Sequence, residues 1–207
     1  MSQITWNDQQ LGFFIDMRDQ QKYKVVKIGN QIWMAENLRF KTTDLMKKTL
    51  FGLINKSVGA TSWVHQNNDN YLPEFGWLYS DAGCYDAAPE GWKIPSNQDW
   101  KILATFLKGF GNAGFKLKSN AGNHWKKEDP NATNEFLFSA LPGGYVNFSQ
   151  YGTIYFEEFG QSANFWAIDE ESEEYLVYSI QTDDNELFES EPFHRFAYSI
   201  RCIFNEK

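Results

Sequence analysis

The chain has 207 residues, long enough for one well-buried domain or at most two small ones, and it is read here as one. Aromatic residues make up 17% of it (8 Trp, 10 Tyr, 18 Phe), a content that argues against disorder and leaves rings over for stacking on a ligand. The net charge of -8 is uneven: residues 1–150 carry 16 Lys and Arg against 14 Asp and Glu, residues 151–207 carry 3 against 13, and so acidic a segment argues against binding nucleic acid through phosphate contacts.

Along the chain, the start MSQITWNDQQ has neither a basic n-region nor an apolar h-region, so no cleaved signal is expected there. No run approaches the roughly 18 apolar residues of a membrane span. Residues 1–12 are set apart as an N-terminal extension, and 13–207 as a single domain. Phe13 to Ile28 reads as two short strands around Arg18–Gln21, with a Gly29-Asn30 hairpin signal following. Residues 41–72 are poorly patterned and read as a loop insertion, His65 to Asn70 included.

Pro95 holds the residue before it extended, and Ser96 with Asp99 forms a capping-box-like start. From there Trp100, Leu103, Ala104, Phe106 and Leu107 recur at three- and four-residue steps until Gly109. That predicts one main helix over residues 97–108. Phe110 to Gly114 reads as a turn, and Phe115 to Lys118 as a strand. Further short strands are predicted at 136–140, 145–148, 153–156, 165–168, 175–180, 186–188 and 196–204, separated by Gly, Pro and Asp-Asp-Asn turn signals. A single helix among many short strands gives an α+β class.

Candidate chemistry is sparse. His65, His124 and His194 lie in unrelated segments, which argues against a zinc site, and no nucleophile stands in a Gly-x-Ser-x-Gly turn. Cys84 and Cys202 form no CxxC motif and read either as a structural disulfide or as two buried thiols. Asp183, Asp184 and Glu186, with Asn185, form an oxygen-rich cluster that reads as a plain Asx turn or a weak calcium candidate. No cofactor is expected beyond that calcium.

Five motifs stand in one order: Val26 to Leu38 (VKIGNQIWMAENL), Gly91 to Ser96 (GWKIPS) with Trp100, Phe138 to Gly144 (FSALPGG), Phe165-Trp166 and Tyr198 to Cys202 (YSIRC). Together they resemble the Fibrobacter succinogenes major paralogous domain family over nearly the whole chain. That family in turn resembles the C-type-lectin-like fold of the formylglycine-generating enzymes. The resemblance implies a small twisted antiparallel sheet, one main helix and long irregular loops. It implies structural roles for Trp33, Trp92, Trp100, Trp166 and Arg201, and neighbouring strands that bring Cys84 and Cys202 close enough to pair. It places such proteins at the cell surface or outside the cell; without a visible leader, the chain would be cytoplasmic or exported by another route.

In folds of that kind, the segment between a Phe-Trp and the closing Arg-Cys strand carries exposed positions. Here it runs from Trp166 to Arg201, and alternation in Tyr175 to Ile180 predicts one row facing the core and one facing out. The candidate ligand-binding residues are therefore Tyr175, Asp183, Asp184, Asn185, Phe188, Glu189, Glu191, His194 and Arg195. The expected function is a non-enzymatic recognition module for a glycan or protein. The alternatives are a structural or adhesion component of a surface assembly, phage tail or injection machine, and an enzyme related to the formylglycine-generating fold, for which no second cysteine pair is present.

Overall fold

The computed structural model describes residues 3–42, 62–84, 86–127, 129–149, 153–193 and 195–205. In chain order its elements are β1 (Thr5–Trp6), β2 (Leu11–Ile15), β3 (Lys22–Ile28), β4 (Gln31–Met34), β5 (Ser62–Trp63), single 3-10 turns at His65–Asn67 and Asp69–Tyr71, α1 (Leu72–Phe75), β6 (Leu78–Tyr79), α2 (Asp81–Cys84) and β7 (Trp92–Lys93). There follow α3 (Asn97–Phe106), α4 (Phe110–Leu117), β8 (Tyr145–Phe148), β9 (Ile154–Glu157), β10 (Ser162–Ile168), β11 (Tyr175–Gln181), β12 (Leu187–Ser190), β13 (Phe196–Ser199) and β14 (Ile203–Phe204). The class is α+β, mostly sheet with a few short helices. Among the described residues no helix is long and apolar enough to cross a membrane.

Among the described residues there are two sheets in place of one small antiparallel sheet. A six-stranded sheet runs β1-β2-β3-β4-β14-β7, and an eight-stranded one runs β12-β11-β10-β13-β6-β5, with β8 joined to β13 and β9 joined to β8. Within the second, β10 and β13 are parallel. Residues set apart as an N-terminal extension supply β1 and the start of β2, paired as Thr5 to Phe13 and Trp6 to Gly12. The predicted strand 196–204 splits at Ile200 to Cys202, because the chain leaves one sheet there and enters the other. Leu38 N–H donates to Ile200 O and Met34 N–H to Cys202 O, each at 2.9 Å, so the crossover keeps its backbone bonds.

The α3 start is as read: Ser96 Oγ accepts from Asp99 N–H at 3.1 Å, and Asp99 Oδ2 accepts from Ser96 N–H at 2.8 Å. Both ends of the capping box satisfy amides that a helix start otherwise leaves open. Ser96→Ala should therefore lower stability by about 1 kcal/mol, read from a denaturant midpoint. The segment read as a turn and a strand is instead α4. Phe110, Ala113, Gly114 and Leu117 stand at helical spacing, a pattern that the glycines and the short alternation of Phe115 to Lys118 masked. Gly114 fits tight packing: a Cβ there would lie 2.7 Å from Asn185 O and Glu186 O, while its N–H donates to Asn185 O at 2.8 Å.

The predicted strand 136–140 does not form. Leu137 and Ser139 have φ of 57° and 55°, so the chain turns there, and the carbonyls of Phe138 and Ser139 accept from Arg201. Residues 43–61 of the predicted insertion lie outside the described residues. Its last part is ordered into β5 and the two 3-10 turns, with His65 buried.

Among the described residues the buried side chains form three apolar clusters. The first packs α3 and α4 (Trp100, Leu103, Leu107, Leu117) on Val26, Trp33, Phe165 and Tyr178. The second holds Phe14, Tyr23, Tyr79, Trp92, Trp166 and Tyr198 on the other side of β10 and β11. The third is smaller: Trp63, Leu78, Val146 and Ala197, with Phe148 and Phe156 against it.

Candidate functional site

The two large clusters decide which strand residues reach solvent. Ser162 to Ala167 of β10 and Val177 to Ile180 of β11 are all buried, since Tyr178 and Ile180 face the helical cluster while Trp166 and Val177 face the other. The outward row expected in Tyr175 to Ile180 is thus covered from Val177 on, and β11 is partly open only at its two ends, Tyr175 with Leu176 and Gln181. Tyr175 packs edge-on against Trp166, ring centroids 5.3 Å apart, at the side of an open groove of about 520 Å³ whose lining includes Trp92, Lys93, Ile168 and Glu170.

The other expected residues do not converge. Asp183, Asp184 and Asn185 form the exposed turn between β11 and β12. Asp184 Oδ1 accepts from Glu186 N–H at 2.9 Å, the Asx turn foreseen as the plain alternative. Asp184 O, Thr182 O and Asp129 Oδ2 accept from Lys118 Nζ at 2.7, 3.2 and 2.8 Å. This ammonium is fully buried, so the turn's oxygens serve the scaffold. Among the described residues no group of three or more His, Cys, Asp or Glu side chains is placed to hold a metal ion. Glu189 braces the helix start: its Oε2 accepts from Tyr178 OH at 2.9 Å and its Oε1 from Asn97 Nδ2 at 3.3 Å. Burial first, then this carboxylate, pushes the Tyr178 hydroxyl pKa up. Phe188 is half-buried, Glu191 and Arg195 are exposed, and His194 lies outside the described residues.

The residues expected to be structural are all in the interior. Trp33, Trp100 and Arg201 are fully buried, and Trp92 and Trp166 nearly so. Arg201 stands at the crossover between the sheets, and among the described residues no carboxylate is bonded to it. Its Nε and one amino group donate to Asn37 Oδ1 at 3.1 and 2.5 Å, the other amino group donates to Phe138 O, and the guanidinium carbon lies 4.6 Å from the Phe138 ring centroid. Burial lowers its pKa to about 9, which still leaves it charged at neutral pH. Cys84 and Cys202 are free buried thiols in one apolar cluster. Burial pushes both pKa values up, so both stay protonated and poorly nucleophilic.

What the fold does bring together is a three-stranded face made by β9, β8 and β13. Register sets Tyr155 opposite Asn147 and Asn147 opposite Phe196, with Glu157 opposite Tyr145 in the next row. Directly opposed residues share a face, so these five point one way. Val146, Phe148, Phe156 and Ala197 point the other way, into the third cluster. On that side Tyr145 and Phe196, both partly buried against the second cluster, stack at 5.0 Å with 13° between planes, and Phe193 lies 5.3 Å from Phe196. Phe193 is 71% exposed and Tyr155 51%. Glu157, the last residue of the outer strand β9, is fixed on this face: its Oε2 accepts from Tyr145 OH and its Oε1 from Asn147 Nδ2, both at 3.1 Å. Burial and the nearby Glu158 and Glu157 raise the Tyr145 pKa, so its hydroxyl keeps the proton it donates.

The strands of this face were legible as strands. The face was not, because Tyr145/Asn147 and Tyr155/Glu157 alternate as aromatic and polar on the same parity and only pairing shows that they meet.

A family model described as the Fibrobacter succinogenes major domain matches residues 26–203. No curated protein and no solved structure matches the chain.

Proposed function

The chain belongs to the Fibrobacter succinogenes major domain family, and from that premise we propose a non-enzymatic recognition module, on a C-type-lectin-like frame at or beyond the cell surface, that binds carbohydrate through the β9–β8–β13 face. The observation that carries this reading is the partly buried pair Tyr145 and Phe196, stacked beside a Glu157 carboxylate already held by Tyr145 and Asn147, with the exposed rings of Phe193 and Tyr155 on the same face. Sugar rings present C–H faces that lie on aromatic rings and hydroxyls that pair with carboxylates and amides. A carboxylate has about four acceptor positions. Two of them on Glu157 are used internally, which leaves others for sugar hydroxyls. Because the carboxylate and rings are fixed before binding, little side-chain freedom is lost on association. The acidity of residues 151–207 favours neutral or amino sugars over polyanions.

The test is affinity electrophoresis and calorimetry against a panel of neutral, amino and acidic polysaccharides. Phe193→Ala combined with Tyr155→Ala should weaken binding at least tenfold, about 1.4 kcal/mol, with little change in melting temperature since both rings are mostly in solvent. Undiminished affinity in that folded double variant would remove the face from consideration. Retention by acidic polysaccharides alone would contradict the sugar class.

A further inference from the structure

His65 is 3% exposed, and among the described residues neither ring nitrogen has a hydrogen-bond partner. Its surroundings are rings: Phe159 stacked at 3.8 Å and 16°, Phe156 edge-on at 5.5 Å and Tyr71 edge-on at 5.6 Å. Phe156 lies in β9 between Tyr155 and Glu157, and strand alternation sends it to the underside of the face while its two neighbours point outward. Two residues before His65, Trp63 packs on Phe148 of β8 at 4.3 Å. The segment carrying Trp63 and His65 therefore presses on the underside of the β8–β9 hairpin, and these ring contacts suit a neutral imidazole.

We propose that His65 is a proton-operated latch under the β8–β9 hairpin: neutral, it seats the hairpin that presents Tyr145, Asn147, Tyr155 and Glu157; protonated, it leaves the ring box and the face loses its geometry. An imidazolium has two N–H donors and a charge, and among the described residues neither ring nitrogen has a hydrogen-bond partner to receive them. The stacked Phe159 would attract a cation, yet ring attraction does not replace two missing hydrogen bonds.

The carboxylates on the packed elements are committed elsewhere or remote in effect. The 69–71 turn carries the exposed Asp69. In α1, Glu74 Oε1 pairs with His124 Nε2 at 2.8 Å. Glu157 is bonded on the outer face, and Glu158 adjoins Phe159. Burial alone acts on His65, lowering its pKa from 6.5 to about 4. A histidine whose folded value is depressed stabilises the fold fully above the unfolded value. That stability is lost as pH falls from about 6.5 towards 4.

The latch can be judged without a ligand; only the consequence that bound sugar is released rests on the carbohydrate reading. Histidine resonances of the full chain are followed from pH 7.5 to 3.5, with amide exchange corrected for intrinsic rates. His65 should titrate at least 1.5 pH units below an unburied histidine. Protection of β8 and β9 should fall about tenfold relative to β10 and β11 between pH 7 and pH 5, and His65→Phe should abolish that fall. A His65 midpoint near 6.5, or the same relative loss in His65→Phe, overturns the latch. If His65→Phe does not fold, the wild-type midpoint and exchange decide alone. Should no polysaccharide bind at pH 7 while the exchange result holds, the carbohydrate reading fails and the latch stands.

Discussion

Trp100→Ala should lower stability by about 3–5 kcal/mol, the largest single-site loss expected from an aromatic truncation in this core. Trp100 is fully buried and stacks on Tyr178 at 4.9 Å and 14°, with Trp33 at 4.9 Å and Phe165 at 5.7 Å. It links helix α3 to both sheets, since Trp33 lies in β4 and Tyr178 in β11. The hole left by alanine is walled by rings on strands that are themselves paired, so it cannot close without moving a sheet. The indole N–H has no partner, so Trp100→Phe removes no hydrogen bond and should cost much less, about 1–2 kcal/mol. Denaturant midpoints at constant slope measure both. A loss below about 1 kcal/mol for the alanine variant would mean that the cluster repacks.

Lys118→Met should lower stability by about 3 kcal/mol, although no charge is exposed and the volume is nearly kept. The fully buried ammonium gives its three hydrogens to Asp129 Oδ2, Thr182 O and Asp184 O. Methionine leaves a carboxylate that is only 10% exposed and two carbonyls facing a thioether. Adding Asp129→Asn should recover part of the loss, because the double variant no longer holds an unpaired charge. A pH signature accompanies the pair. Burial alone would raise the Asp129 pKa, but the Lys118 hydrogen bond, then backbone donors, bring the net value below the usual 3.8. A depressed carboxylate stabilises the fold above its unfolded pKa, and that contribution is lost as pH falls below about 3.8 through the folded value. Lys118→Met should lose the lysine-dependent part of that acid slope, and an unchanged slope would show that the backbone donors alone hold Asp129 charged.

Local chemistry carried much of the secondary structure. Ser96 and Asp99 lie three residues apart, so their reciprocal bonds are visible in the sequence, as is the apolar spacing of α3 behind them. Strands 145–148 and 175–180 were likewise legible, because alternation and turn signals act within a few residues. Where local signals conflicted, the reading failed. Two glycines in Phe110 to Leu117 looked like breakers, yet Gly114 lets α4 meet the Asn185 and Glu186 carbonyls.

By itself, the sequence determined the α+β class, the family and the helix start at Ser96, all of which rest on residues close in the chain or on ordered motifs. Only the tertiary structure decided which surfaces remain open. Alternation in Tyr175 to Ile180 announces two faces but not that separate clusters cover both, with Tyr178 on one and Val177 on the other. The same is true of the face at Tyr145, Asn147, Glu157 and Phe196, assembled by pairing β8 with β9 and with a strand nearly fifty residues away. It is true also of Lys118, whose charge alone would leave it at the surface and which the fold buries because carbonyls from distant segments receive it. Exposure is a property of non-local contacts, and the pattern within a strand fixes only which residues share a side.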